Sequence, residues 1–234
     1  MLEKLKKKVL EANRQLKKRD LVIFTWGNVS GIDRQKKLVV IKPSGVDYDD
    51  LTIKQMPVVD LSGEVVEGKL NPSSDTATHL ELYREFNDIG GVVHTHSPWA
   101  TCWAQAQKAI PCLGTTHADH FYGRIPCTRP LTKKEIEGDY VLNTGRVIVD
   151  CFSDKDYEYT PGVLAAGHGP FTWGENPKQA VKNSVILEEI AKISYRTLQL
   201  ADKDTTDLDL SQTLMDKHFY RKHGTDAYYG QQNN

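Results

Sequence analysis

Apolar positions at the start of the chain fall at alternating steps of three and four, at Leu2, Leu5, Val9, Ala12 and Leu16. That spacing draws one apolar stripe along an α-helix and leaves a lysine-rich, solvated outer face. Short β-branched runs at Leu21–Phe24, Leu38–Ile41, Val58–Leu61 and Val65–Val66, separated by glycine-rich turns, read as strands. A helix is expected just after Pro72-Ser73-Ser74, carrying Leu80, Leu82 and Tyr83, and a strand over Gly91–His96. The Trp99–Gln107 region reads as a helix and Arg146–Asp150 as a further strand. The best-marked helix opens at Asn176-Pro177-Lys178-Gln179: Asn is a good N-cap, Pro is preorganised for the first helical position, and Gln three residues on can close a capping box. It should run to Leu200, with a last helix around Leu208–Lys222. Helices at both ends of a strand-rich middle predict an α/β fold, a sheet covered by helices on its two faces.

No repeat, low-complexity tract or Pro/Ser-rich linker divides the 234 residues, so a single domain over residues 1–234 is expected. With 30 basic against 31 acidic side chains, the net charge of -1 gives no global field toward nucleic acid or an anionic membrane. A local site for a small anion remains open. The basic N-terminal segment lacks the apolar run of a signal peptide, and no stretch approaches the roughly 20 apolar residues of a membrane span. Cys102, Cys112, Cys127 and Cys151 lie far apart with no C-x-x-C pair, which reads as four reduced, mostly buried thiols in a cytoplasmic protein.

Candidate chemistry gathers around histidine. In His94-Thr95-His96 the two imidazoles are two residues apart, so on a strand they share a face and can converge on one metal ion. An H-x-H pair alone is a weak signal. His168, in Gly167-His168-Gly169-Pro170, is the sole functional side chain of a turn where glycine lets the backbone approach closely. Asp75 stands at a predicted helix start, where it either joins the histidines or complements the helix dipole. Three imidazoles and a carboxylate suit zinc, with manganese as the alternative. His79 reads as an ordinary helix residue, while His120, His218 and His223 are undecided. A second group, Trp26-Gly27-Asn28, Lys42-Pro43-Ser44-Gly45 and Ser73-Ser74, offers an ammonium, hydroxyls and glycine-freed backbone donors of the kind that hold phosphate. No Walker or dinucleotide glycine pattern is present.

These motifs also carry a resemblance. Thr25-Trp26-Gly27-Asn28-Val29-Ser30, Ile41-Lys42-Pro43-Ser44-Gly45-Val46, Pro72-Ser73-Ser74-Asp75-Thr76, His94-Thr95-His96-Ser97, Gly114-Thr115-Thr116-His117-Ala118-Asp119, Gly167-His168-Gly169-Pro170-Phe171, Arg221-Lys222-His223-Gly224 and Tyr228-Tyr229-Gly230-Gln231 resemble, in order and over the whole chain, the L-ribulose-5-phosphate 4-epimerases. Those enzymes belong to a superfamily of class II sugar-phosphate aldolases and epimerases. The resemblance implies a three-layer α/β/α fold around a central, largely antiparallel sheet, and a homotetramer with active sites between subunits. It implies a zinc ion on Asp75, His94, His96 and His168. Substrate and phosphate contacts would be Gly27, Asn28, Lys42, Ser44, Gly45, Ser73 and Ser74. Asp119 and Tyr229, supplied by a neighbouring subunit, would be the acid/base pair; without the resemblance Tyr229 would read as part of a frayed tail.

The implied reaction interconverts L-ribulose 5-phosphate and D-xylulose 5-phosphate. The C4 proton is not next to a carbonyl, so inversion is easier by cleaving C3–C4, turning the aldehyde and re-forming the bond. The fragments would be the enediolate of dihydroxyacetone and glycolaldehyde phosphate. Related aldolases carry glutamate where this chain has Asp75, which favours the epimerase over its nearest rival, a fuculose- or rhamnulose-type 1-phosphate aldolase. A non-catalytic module of the same fold, as in the adducin head, is disfavoured because every ligand and acid/base candidate is present. Arabinose and ascorbate catabolism both use such an epimerisation, and the sequence does not choose between them.

Overall fold

The computed structural model describes residues 2–201, 208–224 and 227. Its centre is one seven-stranded sheet made of β1 (Asn28–Asp33), β2 (Leu38–Ile41), β3 (Val58–Asp60), β4 (Val65–Glu67), β5 (Gly91–His94), β6 (Gly162–Ala165) and β7 (Gly169–Gly174). The order across the sheet is β4-β3-β2-β1-β5-β7-β6, and every neighbouring pair is antiparallel.

Alternation along the strands assigns the two faces. Ile32, Val39, Val59, Val92 and Trp173 turn to one side, where they meet Leu80, Leu82 and Tyr83 of α2 (Thr76–Glu85) and Ile148 of α6 (Tyr140–Asp150). Their sequence neighbours Val40, Val58 and Val93 turn to the other, against Val9 and Leu16 of α1 (Glu3–Lys18) and Ala180 and Val181 of α7 (Pro177–Ala201). The period of two in a strand thus produces a helix–sheet–helix sandwich with a separate apolar layer on each face. α3 (Pro98–Gln105) joins α7 on the second side through Ala100, Trp103, Leu187 and Ile190. Among the described residues no helix is long and apolar enough to cross a membrane.

Several expectations hold and several do not. α1 lies where its apolar periodicity places it, and α2, α3 and α7 fall in the segments expected to be helical. Asn176 caps α7 as expected, accepting from Gln179 N at 3.0 Å, but Gln179 does not close the box; its amide donates to Asn183 Oδ1 at 3.0 Å. The last helix, α8, spans Gln212–His223. Leu21–Phe24 is not a strand. Phe24 takes the left-handed φ of 52°, which breaks an extended run. Arg146–Asp150 is likewise not a strand but the second half of α6, whose buried Ile148 packs with Leu80, Leu82 and Tyr83 of α2. Packing overrides β-propensity there. The cysteines are all free, but only Cys112 is buried; Cys127 and Cys151 are half-buried and Cys102 is exposed.

Candidate metal centre

The functional side chains collect where β1, β5 and β7 meet. The register pairs Asn28 with His94 and His94 with Phe171, so three neighbouring strands place these residues in one row. β5 ends at His94, and the chain turns out of the sheet through Thr95 and His96 before α3 begins. The strand stops two residues short of the expected Gly91–His96, yet His94 and His96 still converge as their spacing suggests, while Thr95 Oγ1 meets Ser97 Oγ at 3.3 Å. Their Nε2 atoms are 3.1 Å apart. His168 enters from the turn between β6 (Gly162–Ala165) and β7 (Gly169–Gly174), with its ring centroid 4.6 Å from that of His94 and 5.1 Å from that of His96.

One nitrogen from each of the three imidazoles lies within 4.8 Å of the others. A tetrahedral zinc with ~2.1 Å bonds holds its nitrogens ~3.4 Å apart, so small side-chain adjustments suffice. Two details fit a cation. His94 Nδ1 lies 3.1 Å from the Pro170 carbonyl oxygen, an acceptor only, so the proton sits on Nδ1 and the Nε2 lone pair points into the group. His168 Nδ1 is buried with no hydrogen-bond partner among the described residues. Burial pushes the His94 pKa down to about 3 against the opposing pull of Asp75, and burial also lowers those of His96 and His168. Neutral imidazoles are the form that binds metal.

Asp75 sits at the N-cap of α2, and its side chain makes no capping hydrogen bond. Its Oδ2 instead accepts from Asn28 Nδ2 at 2.7 Å. Burial raises its pKa, but His94, His79 and the Asn28 hydrogen bond outweigh that and hold the carboxyl below its ordinary range. Asp75 stands beside the three nitrogens without being one of the tight group.

The second predicted group lies alongside. Gly27 has φ of 80°, and a Cβ there would meet the His94 carbonyl oxygen at 2.8 Å and Val22 at 2.9 Å, so only glycine lets this loop lie against the end of β5. Segments 42–45 and 71–74 run side by side: Ser44 N donates to Asn71 O at 2.9 Å and Ser73 N to Lys42 O at 3.0 Å. Ser44, Gly45 and Ser74 are exposed and Ser73 is half-buried. Lys42 is only 2% exposed, and burial lowers its pKa to about 8. Its ammonium meets the carbonyls of Thr25 and Pro43 and the face of Tyr48, 4.8 Å from the ring centroid, but forms no ion pair among the described residues. Asp47 pulls that pKa back up without forming an ion pair with the ammonium.

Asp119 is not with the imidazoles. It caps the C-terminus of α4 (Thr115–Ala118) and is gripped by α8. Arg221 Nη2 reaches both carboxylate oxygens at 2.9 Å, Lys222 Nζ stands at 3.1 Å and His218 Nδ1 at 3.1 Å. Burial raises its pKa, and Lys222, His218 and Arg221 more than offset that, leaving an anion. His223 bonds the Asp119 carbonyl at 3.0 Å. Tyr229 lies outside the described residues.

Three side chains near the site go unmarked in the sequence. His79, an ordinary helix residue by its spacing, is fully buried and joins Ser30 Oγ at 2.7 Å, which meets Tyr83 OH at 2.8 Å. Tyr140, 42% exposed at the start of α6, has its ring 6.4 Å from that of His168. Glu188 of α7 accepts from Trp99 N and Ala100 N at 2.9 Å each, capping α3 just behind His96. None carries a local motif; each is recognisable only once distant segments meet.

Residues 7–195 match the class II aldolase and adducin N-terminal domain family. Among solved structures, an L-fuculose 1-phosphate aldolase superimposes with a TM-score of 0.74 at 25% identity, covering 94% of this chain and 96% of that one. The L-fuculose-1-phosphate aldolase of Thermus thermophilus gives 0.67 at 23% identity over 87% and 100% of the two chains. A sugar-phosphate aldolase from Thermotoga maritima gives 0.64 at 19% over 86% and 98%. These last two similarities speak to the fold alone.

Proposed function

The chain belongs to the class II aldolase and adducin N-terminal domain family, and on that premise we propose that it is an L-ribulose-5-phosphate 4-epimerase. The observation that carries the reading is the convergence of His94, His96 and His168 within 4.8 Å, with the carboxylate of Asp75 acting on His94 and His168. Asp75, His94, His96 and His168 would hold the cation, zinc by preference. Such an ion supplies Lewis-acid stabilisation of the charge freed when C3–C4 breaks, worth several kcal/mol.

The chain's own groups do the rest. Lys42, with the donors of Gly27, Ser44, Gly45, Ser73 and Ser74, takes the phosphate and holds the aldehyde fragment while its reactive end turns. Asn28 lines the same pocket. Asp119 and Tyr229 form the acid/base pair that moves the C4 hydroxyl proton on opposite faces, a contribution typically of ~10²–10⁴-fold. Asp119 stands apart from the imidazoles of its own chain, which supports completion of each site by a neighbouring copy in a homotetramer.

The rival reading is a fuculose- or rhamnulose-type 1-phosphate aldolase, favoured by the similarity to L-fuculose 1-phosphate aldolase. Asp75, shorter than the glutamate of the aldolases, weighs for the epimerase. L-ribulose 5-phosphate incubated with the zinc-loaded protein should yield D-xylulose 5-phosphate without free dihydroxyacetone. Accumulation of free dihydroxyacetone would reverse the choice, and full activity after chelation would remove the metal from the reaction.

A further inference from the structure

His96 has less to hold its ring than His94 has. The His94 ring is fixed by the Pro170 carbonyl and by the stacked face of Phe171. The His96 ring is exposed, and among the described residues its hydrogen-bonding contact is His94 Nε2 alone. Its position therefore depends on the backbone to either side. On the upstream side Thr95 N donates to Pro170 O at 3.3 Å. On the downstream side Ser97 stands at the N-cap of α3, where a serine hydroxyl ordinarily accepts from the second or third amide of the helix. It makes no such bond. Ser97 Oγ accepts instead from Thr95 Oγ1 at 3.3 Å, so the two buried residues that flank His96 are joined to each other.

The amides that Ser97 leaves open go to Glu188 of α7, 89 residues beyond Trp99. Its Oε1 accepts from Trp99 N and its Oε2 from Ala100 N, each at 2.9 Å. A carboxylate there satisfies two donors of the first turn and complements the positive end of the helix. A cap from Ser97 would tie α3 only to its own turn, whereas Glu188 ties it to α7. That helix is bonded in turn to β7, through Asn183 Nδ2 on Trp173 O at 2.7 Å and Thr172 Oγ1 on Ala180 O at 3.1 Å. β7 also carries Pro170 and Phe171, which hold His94. We propose that Glu188 is a positioning residue for the metal centre: by capping α3 from α7 it fixes the turn between Thr95 and Ser97, and so sets His96 against His94. Glu188 touches neither ion nor substrate. The inference rests on the metal reading above and is indifferent to the choice between epimerase and aldolase.

The test reads zinc affinity, by competition with a chromogenic chelator, in Glu188→Ala, Glu188→Gln and Trp103→Phe. The last is a control at the same helix pair: it loses the bond from Trp103 Nε1 to Ala191 O, 3.0 Å long and about one turn further from His96. All are compared well below their melting temperatures, where nearly every molecule is folded and lower stability alone leaves the apparent Kd unchanged. Glu188→Ala should bind zinc roughly tenfold more weakly, the low end of the range for groups that hold metal ligands in place. Glu188→Gln keeps an acceptor for one amide and should fall between alanine and parent. Trp103→Phe should keep the parental zinc affinity however far its melting temperature drops. Parental affinity in Glu188→Ala overturns the proposal. So does a Trp103→Phe protein that weakens zinc equally, because any loosening of α3 against α7 would then have the same effect. If the alanine protein does not fold, the glutamine variant decides, and parental affinity there overturns the assignment. Failure of the metal reading itself is seen separately, as parent protein that takes up no zinc, and it removes this role for Glu188 as well.

Discussion

His94 gives its Nδ1 proton to the carbonyl oxygen of Pro170, 3.1 Å away, so its Nε2 faces His96 as a bare lone pair. A backbone acceptor fixes that tautomer, and Phe171 stacked on the ring at 4.2 Å fixes its plane. The site is thus prepared for a cation by the same β5–β7 pairing that builds the sheet. Replacing either His94 or His96 with asparagine should abolish bound zinc and turnover together, with activity falling roughly 100-fold or more. Metal analysis alongside the epimerase assay checks this; a zinc-free variant with parental turnover would break the link.

Lys42 gives a pH dependence of definite sign. Its folded pKa is about 8 against an ordinary 10.5, because burial disfavours the charged form. Phosphate binding needs the ammonium, so affinity for inorganic phosphate should fall as pH rises through about 8. Free of ligand, the folded protein binds fewer protons than the unfolded chain between about 8 and 10.5, so this group makes stability rise over that window. Lys42→Met should flatten the phosphate profile and raise KM much more than it lowers kcat. Titration calorimetry from about pH 6.5 to 9.5 reads the first effect, and a profile that stays steep in the methionine variant would exclude Lys42 as its source.

Buried imidazoles set the acid limit. Burial pushes both His79 and His117 down to about 4 from an ordinary 6.5. Below pH 6.5 the unfolded chain takes up protons that the folded protein refuses, so stability falls as pH drops from 6.5 toward 4, at up to ~1.4 kcal/mol per pH unit for each group. Urea midpoints at pH 7, 6 and 5 should show the decline, and His117→Gln should make it shallower. An unchanged slope in that variant would show that His117 does not contribute.

The sequence makes the long helices and the chemistry legible for a common reason: both leave regular or dense local signals. The stripe from Leu5 to Leu16, the capped start at Asn176 and the close spacing of His94 and His96 need no knowledge of distant residues. The failures are the places where the environment decides. Val147-Ile148-Val149 has the β-branched composition of a strand, yet it is helical, with Ile148 and Val149 packed in the cluster that holds Leu80, Leu82 and Tyr83 of α2. β1, reading Asn-Val-Ser-Gly-Ile-Asp, has too few apolar residues to announce a strand. It is buried because Gly31 lets Pro177, Val9 and Leu5 approach its backbone, where a Cβ would stand within 3.0 Å of each. Asp119 is marked by its motif, but the groups that hold it come from α8, almost 100 residues later.

Gly27 connects the fold to the site with little room for change. A methyl group there would need φ of 80° and would collide with the carbonyl oxygen of His94 at 2.8 Å. Relief requires the loop carrying Asn28 to move away from the end of β5. Gly27→Ala should therefore lower stability by about 1–3 kcal/mol and weaken zinc and phosphate binding together, although alanine touches neither ligand. Melting temperature, metal content and a phosphate titration on one preparation check it, and a variant with parental values in all three would show that the loop is not constrained.

Asp119 offers a test of whether sites are shared between copies. Its carboxylate is held by Arg221, Lys222 and His218, away from the imidazole group of its own chain. Asp119→Asn should keep its zinc and lose turnover by ~10²–10⁴-fold, while His96→Asn loses both. If each active site combines the imidazoles of one copy with Asp119 of the next, equal amounts of the two dead proteins, unfolded and refolded together, form some sites with both parts intact. In a closed ring of randomly mixed subunits about a quarter of the sites meet that condition, so activity should recover to about a quarter of the parental level. The same mixture combined without refolding should stay inactive. If all parts of the site came from one chain, no mixing protocol would restore activity, and persistent inactivity of the refolded hybrid, shown to be assembled by native mass, would place Asp119 outside a shared site.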